Sequence, residues 1–429
     1  MKIYLDSIGC RLNQSEIETI ARHFVLSGHE ITPDPAQADV TVINTCSVTA
    51  AAASDSRGKI RGAQRAGCPT ILVTGCWSNI EPQAAAALSG VHDVIRNADK
   101  EYLVRDFLSL TPEVFDSILA DEQPRQALPG RQQRTRAFIK AQDGCDNHCT
   151  YCVTRIARGE PRSTPQTQVM HDIRIAENAG VNEIVLTGVH LASWGQELEP
   201  SRHLPDLVRA VLVDTSVPRV RLSSLEPWDL TPEFFTLLLN DRLCPHLHLP
   251  LQSGSDTVLR RMARKITIDE FTALVAEARR VVTDIAITTD IIVGFPGETE
   301  EEFQESLAFV SAMGFADGHV FSFSPRKGTP AASFKPQLPN AVKKERNAAM
   351  RAALAASAQR YRQPFTGQTL EVLWESARPD GQGWRLSGLT RNYLRVETIS
   401  PENRWNRLDM VILRSLQGDT FIGEIVPSD

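Results

Sequence analysis

The sequence has no uninterrupted apolar run long enough to cross a lipid bilayer, for which about 20 residues are needed. Its first residues also lack the long apolar region of a secretory signal peptide. We therefore expect a cytoplasmic protein that does not associate with membranes. Of the 429 residues, 42% are apolar and 23% are charged, which are ordinary values for a protein of two or three globular domains.

Cysteine is scarce, with eight residues in the chain, and in a reducing compartment such cysteines favour metal binding or catalysis over disulfides. Cys145, Cys149 and Cys152 form a C-x3-C-x2-C pattern directly after a predicted strand over 136–142. A [4Fe–4S] cluster normally takes four cysteines, and no fourth cysteine follows nearby. The pattern therefore predicts a cluster with one open iron, and open metal positions are where chemistry occurs.

The first 110 residues alternate strand and helix signals in a βαβαβ order, which predicts a small doubly wound parallel sheet. The three predicted strands end at Cys10, Cys46 and Cys76. Because ligands of open α/β sheets bind at the carboxyl ends of the strands, we expect these three thiols to meet at one rim and bind a metal. Cys68 and Cys244 have no such partners, and we predict that they are packing residues.

Three further segments complete the predicted fold, which belongs to the α/β class. Residues 111–134 contain several prolines and are predicted to be a linker. Residues 135–362 contain six strand–helix units, which predict a partial parallel (β/α)6 barrel whose functional loops follow the strands. Residues 363–429 contain five short strand candidates, which predict a small antiparallel, OB-like β-barrel.

The chain does not have the overall positive charge of many nucleic-acid-binding proteins, since its formal net charge is −6. Residues 341–410 nevertheless hold 12 lysines and arginines against 7 acidic residues. Aromatic residues are few, at 6%, yet Trp374, Trp384, Tyr393 and Trp405 lie among these arginines. Two interpretations stay open: an RNA-binding surface, or a solvated arginine-rich face over an aromatic core.

The cysteine loop resembles the signature of the radical S-adenosylmethionine (SAM) enzymes, in which an aromatic residue, here Tyr151, precedes the third cysteine. The whole chain is similar to the methylthiotransferase branch of that superfamily, including GCRLNQ at 9–14 and NTCSVT at 44–49. The other similar segments are 74–76, 157–159, 249–254, 294–299 and 324–330. That branch has an N-terminal cluster domain, a radical SAM barrel and a C-terminal TRAM RNA-binding barrel, in the order predicted above.

The resemblance implies two [4Fe–4S] clusters and SAM as cofactors. The expected ligands of the radical-generating cluster are Cys145, Cys149 and Cys152. The expected ligands of the second, sulfur-carrying cluster are Cys10, Cys46 and Cys76. The expected SAM contacts are Tyr151, Gly188, Ser223 and Glu226. No side chain is expected to act as a catalytic acid or base, because the radical from cluster-bound SAM attacks the substrate C–H bond.

The motifs at 9–14 and 44–49 are most similar to those of enzymes that act on N6-threonylcarbamoyladenosine in tRNA. The resemblance therefore implies insertion of a methylthio group at carbon 2 of that base, next to the anticodon. The expected partners are the tRNA anticodon stem-loop, an electron donor such as flavodoxin or ferredoxin, and a sulfur donor. Alternatives are the same chemistry on isopentenyladenosine in tRNA or on a ribosomal-protein aspartate, and a non-catalytic iron–sulfur RNA-binding protein.

Overall fold

The computed structural model of the chain describes residues 1–121, 135–381 and 383–427. It consists of a parallel sheet domain, a partial parallel barrel and a small closed β-barrel, which confirms the predicted α/β fold class. Residues 122–134 of the predicted linker lie outside the described residues. Among the residues that are described, no helix combines the length and the apolar character needed to span a bilayer.

The N-terminal domain is built on five parallel strands. They are β1 (Lys2–Ser7), β2 (Glu30–Ile31), β3 (Val40–Thr45), β4 (Thr70–Gly75) and β5 (Val91–Val94). Their order in the sheet is β2-β1-β3-β4-β5. The central strand β3 is buried along its whole length, as expected for a strand covered on both faces. The sequence predicted β1, β3 and β4 but not the short edge strands β2 and β5.

Six helices accompany this sheet. They are α1 (Arg11–Leu26), α2 (Ala50–Arg65), α3 (Cys76–Ile80), α4 (Pro82–Ala86), α5 (Leu103–Phe107) and α6 (Pro112–Leu119). Helix α6 falls within the predicted linker. Its N-terminus is capped by Thr111, whose side chain accepts a hydrogen bond from the backbone of Val114, and Phe115 is buried in the N-terminal core. Residues 112–119 therefore belong to the N-terminal domain and not to the linker.

The central domain contains six parallel strands and one short antiparallel hairpin. The parallel strands are β6 (Arg136–Lys140), β9 (Glu183–Thr187), β10 (Arg219–Leu222), β11 (His246–His248), β12 (Ala286–Val293) and β13 (Asp317–Ser322), and the hairpin strands are β7 (Gln142–Asp143) and β8 (Arg162–Ser163). They form two three-stranded sheets, which two isolated parallel bridges between β10 and the β11 region join. Within the described chain, β6 and β13 each pair on one side only, so the barrel is open between them.

Helices cover the outside of this partial barrel. They are α7 (Thr154–Arg158), α8 (Gln166–Asn178), α9 (Leu204–Asp214), α10 (Pro232–Leu237), α11 (Asp256–Arg261), α12 (Ile268–Val281), α13 (Glu300–Met313) and α14 (Asn340–Arg362). Alternate strand residues, such as Ala137 and Ile139, pack with these helices in the main core. The intervening residues, such as Phe138 and Lys140, therefore point into the barrel.

The C-terminal domain is a closed barrel with the strand order β14-β15-β16-β18-β17. These strands are β14 (Thr369–Asp380), β15 (Gly383–Thr390), β16 (Arg395–Ser400), β17 (Leu408–Gln417) and β18 (Thr420–Ile425). Trp374 is fully buried in its core, and its indole N–H donates a hydrogen bond to Asp409. The five-stranded barrel predicted from the sequence is therefore confirmed.

The C-terminal barrel docks against the amino ends of the central strands. Arg219 and Arg221 have fully buried side chains and donate hydrogen bonds to backbone carbonyls of residues 371 and 389–391. Tyr393 stacks on the His246 ring at a centroid distance of 4.5 Å and accepts a hydrogen bond of 3.0 Å from Arg11 of the N-terminal domain. One residue of the C-terminal barrel thus contacts both other domains.

Candidate functional site

Cys10, Cys46 and Cys76 form what we call the N-terminal thiol site. Cys10 directly precedes α1, Cys46 directly follows β3, and Cys76 is the first residue of α3, directly after β4. Burial is the largest cause that raises the pKa of Cys46 to about 11, and the neighbouring Cys76 and Cys10 thiols contribute to this rise. The three thiols are therefore close enough to interact. Metal bound there would have to displace the proton that Cys46 retains at neutral pH.

Two glycines bring the loops of this site together. Gly9 and Gly75 have φ angles of +108° and +101°, a backbone region that L side chains rarely adopt. A Cβ on Gly9 would lie 2.8 Å from Cys46 Sγ, and a Cβ on Gly75 would lie 2.4 Å from the backbone N and O of Thr45. Glycine before Cys10 and before Cys76 therefore permits the close approach of these loops to the segment that carries Cys46.

Cys145, Cys149 and Cys152 form what we call the barrel thiol site. The Cys145 amide donates to the Gly159 carbonyl at 3.1 Å, and the Cys152 amide donates to the Cys149 carbonyl at 3.1 Å, so the loop folds back on itself. Burial is the largest cause that raises the pKa of Cys152 to about 11, and the Cys149 and Cys145 thiols contribute to this rise. These three thiols therefore also share one site, on the loop that follows the first strand of the barrel.

The two thiol sites lie at the same interface between domains. Helix α3, which begins at Cys76, packs against α7, which begins two residues after Cys152. The side-chain amide of Asn97 donates a hydrogen bond of 2.7 Å to the carbonyl of Ala157 on α7. The structure therefore brings the segments that carry the two thiol sites to one interface between the N-terminal and central domains.

A buried ionic network lies at this interface, beside the N-terminal thiol site. Arg158, with a side chain that is 1% exposed, donates to Glu16 at 2.8 Å, to Asp143 at 2.9 Å and to Asn13 at 2.6 Å. Lys100 lies 2.7 Å from Glu16, which comes from the N-terminal domain. Arg158 and Asp143 belong to the central domain, so the network ties the two domains together through buried, charge-assisted hydrogen bonds.

The network carries more positive than negative charges next to the thiols. Lys140 approaches Asp143 at 3.1 Å, so three cations (Lys100, Lys140 and Arg158) face two carboxylates (Glu16 and Asp143). Burial acts to lower the pKa of Arg158, but Glu16 and then the neighbouring thiols raise it well above its usual range. A fixed cation beside cysteines favours their thiolate form, which is the form that binds metal.

The four expected SAM contacts fall into two pairs. The Gly188 amide donates to Ser223 Oγ at 3.4 Å, and a Cβ on Gly188 would lie 2.9 Å from Cβ of Gln142. Tyr151 and Glu226 form the second pair: burial raises the pKa of Tyr151 well above its usual range, and the charges of Arg264 and Glu226 also influence it. The structure therefore groups these residues at the carboxyl ends of the barrel strands.

Arg264 joins the second pair to the barrel thiol site, and the sequence interpretation did not single it out. Its guanidinium lies 2.8 Å from Glu226, 3.9 Å from Cys149 Sγ and 4.4 Å from the centre of the Trp228 ring. No local pattern marks this residue, because it lies 38 residues beyond Glu226 and 115 beyond Cys149. Only the folded barrel brings it to the thiols.

His190 is a second residue that only the structure connects with this site. Its Nε2 lies 2.6 Å from an Asp229 carboxylate oxygen, and its Nδ1 lies 4.0 Å from Cys145 Sγ. Burial acts to lower the pKa of His190, but hydrogen bonds with Asp229 and Cys145 outweigh it and raise the pKa to about 10. Cys145, Asp146 and His190 offer ligand atoms within 4.8 Å of one another, so this corner could also hold a single metal ion.

Unpartnered buried polar atoms test whether cofactors fit the two sites. Within the described part of the chain, Ser47 Oγ and Trp77 Nε1 are buried without a hydrogen-bond partner, each beside a cysteine of the N-terminal thiol site. Near the barrel thiol site, Arg264 Nε and Trp228 Nε1 are also buried without a hydrogen-bond partner. Buried donors normally find partners, and thiolates are soft ligands. The residues present therefore fit iron–sulfur clusters at both sites and a polar cofactor in the barrel.

Comparison with known proteins agrees with this geometry. Residues 139–310 match the radical SAM superfamily, and residues 2–96 match the uncharacterized protein family UPF0004. The solved structure of the radical SAM methyltransferase TsrM from Kitasatospora setae matches 77% of this chain and 77% of its own length, with a TM-score of 0.56 and 14% identity. This likeness shows a shared fold, and the superfamily match together with the cysteine loop defines a radical SAM enzyme.

Two relatives show to which family of radical SAM enzymes the chain belongs. The threonylcarbamoyladenosine tRNA methylthiotransferase MtaB of Bacillus subtilis is 35% identical over 91% of this chain and 88% of the relative. The tRNA-2-methylthio-N(6)-dimethylallyladenosine synthase of Clostridium tetani is 30% identical over 96% of this chain and 94% of the relative. The chain therefore belongs to the radical SAM methylthiotransferase family. It is a transferase whose cofactors are SAM and [4Fe–4S] clusters.

Proposed function

We propose that this chain is a tRNA methylthiotransferase that modifies carbon 2 of N6-threonylcarbamoyladenosine next to the anticodon. The observation that carries the proposal is the pair of three-thiol sites at one interface, which the buried Arg158 network holds together. The substrate base is supported by the relative from Bacillus subtilis, whose name specifies threonylcarbamoyladenosine. The relative from Clostridium tetani, named for dimethylallyladenosine, makes isopentenyladenosine the second candidate.

In this proposal, Cys145, Cys149 and Cys152 hold the radical-generating [4Fe–4S] cluster, and Cys10, Cys46 and Cys76 hold a second one. Together with SAM, the bound clusters supply the radical and the sulfur that replace an unactivated C–H bond with a C–S bond. Each site offers three thiols, so one iron of each bound cluster would have no cysteine ligand from that site. No side chain has to act as the base.

The remaining residues bind and orient. Arg264 pairs with Glu226 and lies over the Trp228 ring beside Cys149, while the lack of a side chain at Gly188 permits close packing against Gln142. The Arg158 network holds the N-terminal domain on the barrel, so the distance between the two thiol sites is set by buried ion pairs. Such preorganisation is what a two-site transfer needs, since a misplacement of about 1 Å can reduce the rate by about 100-fold.

Nucleoside mass spectrometry tests the proposed substrate. The anaerobically reconstituted protein, supplied with SAM and a reductant, is incubated with tRNA from a strain that lacks the gene. We expect the methylthio derivative of threonylcarbamoyladenosine to appear, and the variant Cys145→Ala/Cys149→Ala/Cys152→Ala to form none. If the methylthio group appeared only on isopentenyladenosine, the second candidate would replace the first. If no tRNA nucleoside changed, the RNA substrate would be wrong, and a ribosomal-protein aspartate would be tested next.

The proposed reaction also requires partners. Reduction of the barrel cluster needs an electron donor such as flavodoxin or ferredoxin, and each turnover consumes sulfur, so a sulfur donor is needed. Both partners would be found in the cytoplasm together with tRNA, which is where we place this enzyme. A non-catalytic iron–sulfur RNA-binding protein would form no 5′-deoxyadenosine from SAM under reducing conditions, so measuring that product separates this alternative from the enzyme.

A further inference from the structure

A groove runs along the free edge of the partial barrel. One wall is the outer edge of β13, where Val320, Phe321 and Ser322 lie, and the other is the exposed face of α14 with Lys344 and Arg351. Residues 49–51, at the start of α2, close one end. The groove has a volume of about 740 Å³, and a second cavity of about 580 Å³ continues it along β13 towards residue 317.

The cations of this groove have no acidic partners. Lys344 and Arg351 are exposed and lie two turns apart on one face of α14. Among the residues that the structure describes, neither has a carboxylate within ion-pair distance. In the C-terminal barrel, by contrast, Arg385, Arg404 and Arg414 pair with acidic side chains at 2.7 to 2.8 Å. The groove therefore presents two exposed cations whose charge no neighbouring carboxylate neutralises.

An aromatic side chain lies at the mouth of the groove. Phe321 is 36% exposed, and its ring centre is 6.3 Å from that of His319. His319 in turn lies 6.5 Å from His248 inside the barrel. Two exposed rings, Phe321 and His319, and the partly buried His248 thus lead from the groove into the barrel. Base–aromatic stacking is how proteins commonly hold single-stranded nucleic acid.

The groove also lies next to the proposed reaction site. Thr49, in its end wall, is three residues beyond Cys46 of the N-terminal thiol site and caps α2. A chain lying in the groove would therefore pass close to that site while reaching into the barrel through its open side.

We propose that this groove binds the single-stranded RNA loop that flanks the target base, with phosphates on Lys344 and Arg351 and a base stacked on Phe321. The inference rests on the proposed function and names a binding surface for its RNA substrate. It adds a contact surface on the central domain, outside the C-terminal barrel for which the sequence analysis left an RNA-binding surface open. Unpaired cations and an exposed ring favour RNA over a peptide paired to the edge of β13.

The test measures binding of a fluorescent RNA stem-loop with the sequence of an anticodon arm to the reconstituted full chain, across a series from about 50 to about 200 mM salt. For Lys344→Ala/Arg351→Ala we expect the log–log salt slope to become shallower by about 1.4, because two phosphate contacts on a single strand are lost. The matched control is Arg385→Ala/Arg414→Ala, which removes two surface arginines that have acidic partners, and we expect its slope to equal that of the wild type. Phe321→Leu should weaken binding about 5- to 100-fold.

The outcomes separate the two proposals. If the wild type binds and modifies tRNA but the groove variants bind like the wild type, the groove inference is wrong and the proposed function stands. If the wild type shows no salt-dependent affinity for the stem-loop and does not modify tRNA, the proposed function fails. If an acidic peptide displaces the RNA from the wild type with equal strength, the groove is a peptide site and the RNA inference is overturned. Unchanged thermal melting of each variant establishes that it is folded.

Discussion

Arg158 shows how one buried side chain can define the relation between two domains. Its guanidinium contacts Asn13 and Glu16 from one domain and Asp143 from the other. Removing one partner of a buried ion pair is far costlier than losing a surface pair, because the remaining charges stay buried without compensation. The residue therefore contributes both to stability and to the separation of the two thiol sites.

We predict that Arg158→Met destabilises the metal-free protein by about 3 to 5 kcal/mol, because Glu16 and Asp143 lose their central cation. Arg162→Met is the matched control: Arg162 approaches the same Asp143 at 3.7 Å, but its side chain is 49% exposed. The control should change stability by less than about 1 kcal/mol. Denaturant unfolding of both variants measures the difference. Equal stability of the two variants would show that the buried network does not hold the domains together.

Gly75 provides a second prediction for a single residue. Gly75→Ala introduces a Cβ about 2.4 Å from the Thr45 backbone in a region of φ that alanine avoids, so we expect the loops carrying Cys46 and Cys76 to separate. Iron bound after anaerobic reconstitution should fall by roughly half, since the barrel thiol site is untouched.

Gly67→Ala is the control for this substitution. Gly67 has a φ of +86°, but nothing lies within 4 Å of its added Cβ, so only the backbone cost applies. That variant should retain its full iron content while losing about 1 kcal/mol of stability. A full iron load in Gly75→Ala would show that the contact with Thr45 is not needed for the N-terminal site.

At the scale of elements, the sequence predicted what local periodicity controls. Strands β1, β3 and β4 were found from apolar runs, and the cysteines at their ends followed from the rule for parallel sheets. Helix α6 was missed because a single buried aromatic, Phe115, docks it, although Thr111 before Pro112 is a recognisable start signal. Tyr393 was expected on an RNA surface or in a core, whereas it lies between domains, which no local pattern encodes.

The docking of the C-terminal barrel depends on Glu183 at the start of β9. It is fully buried, lies 2.7 Å from Arg221 and 3.7 Å from Arg219, and these arginines reach the carbonyls of the C-terminal barrel. Burial acts to raise the pKa of Glu183, but the arginines outweigh it and lower the pKa to about 2. A carboxylate held this far below its ordinary value of 4.5 stabilises the folded state at neutral pH.

We predict that the wild type loses up to about 3 kcal/mol as the pH falls from about 4.5 towards 2, because the unfolded state takes up the proton first. Glu183→Gln should be less stable than the wild type at neutral pH and should lack this part of the pH dependence. Glu375→Gln, which removes a half-exposed partner of Arg136, is the control and should retain it. Melting temperatures between about pH 6 and about pH 3 measure both effects. Parallel pH profiles for the wild type and Glu183→Gln would contradict this account.

For the whole molecule, only the folded structure shows that the two thiol sites lie at one interface. The sequence could place each triplet of cysteines at strand ends, but it could not show that α3 packs against α7 and brings them to one interface. That arrangement depends on Asn97, Glu16, Lys100 and Arg158, which lie on separate segments and have no shared local signal.

The proposal assigns radical generation to the barrel thiol site and sulfur supply to the N-terminal thiol site. This assignment leads to a prediction for the whole chain. The variant Cys10→Ala/Cys46→Ala/Cys76→Ala should bind about half the iron of the wild type, since one of two clusters is lost. It should still form 5′-deoxyadenosine from SAM, because the barrel thiol site is intact, but it should transfer no methylthio group. Cys68→Ala/Cys244→Ala removes two buried cysteines outside both sites and should keep the full iron content and both activities. Full iron content or methylthio transfer in the triple variant would show that the N-terminal thiols are not cluster ligands.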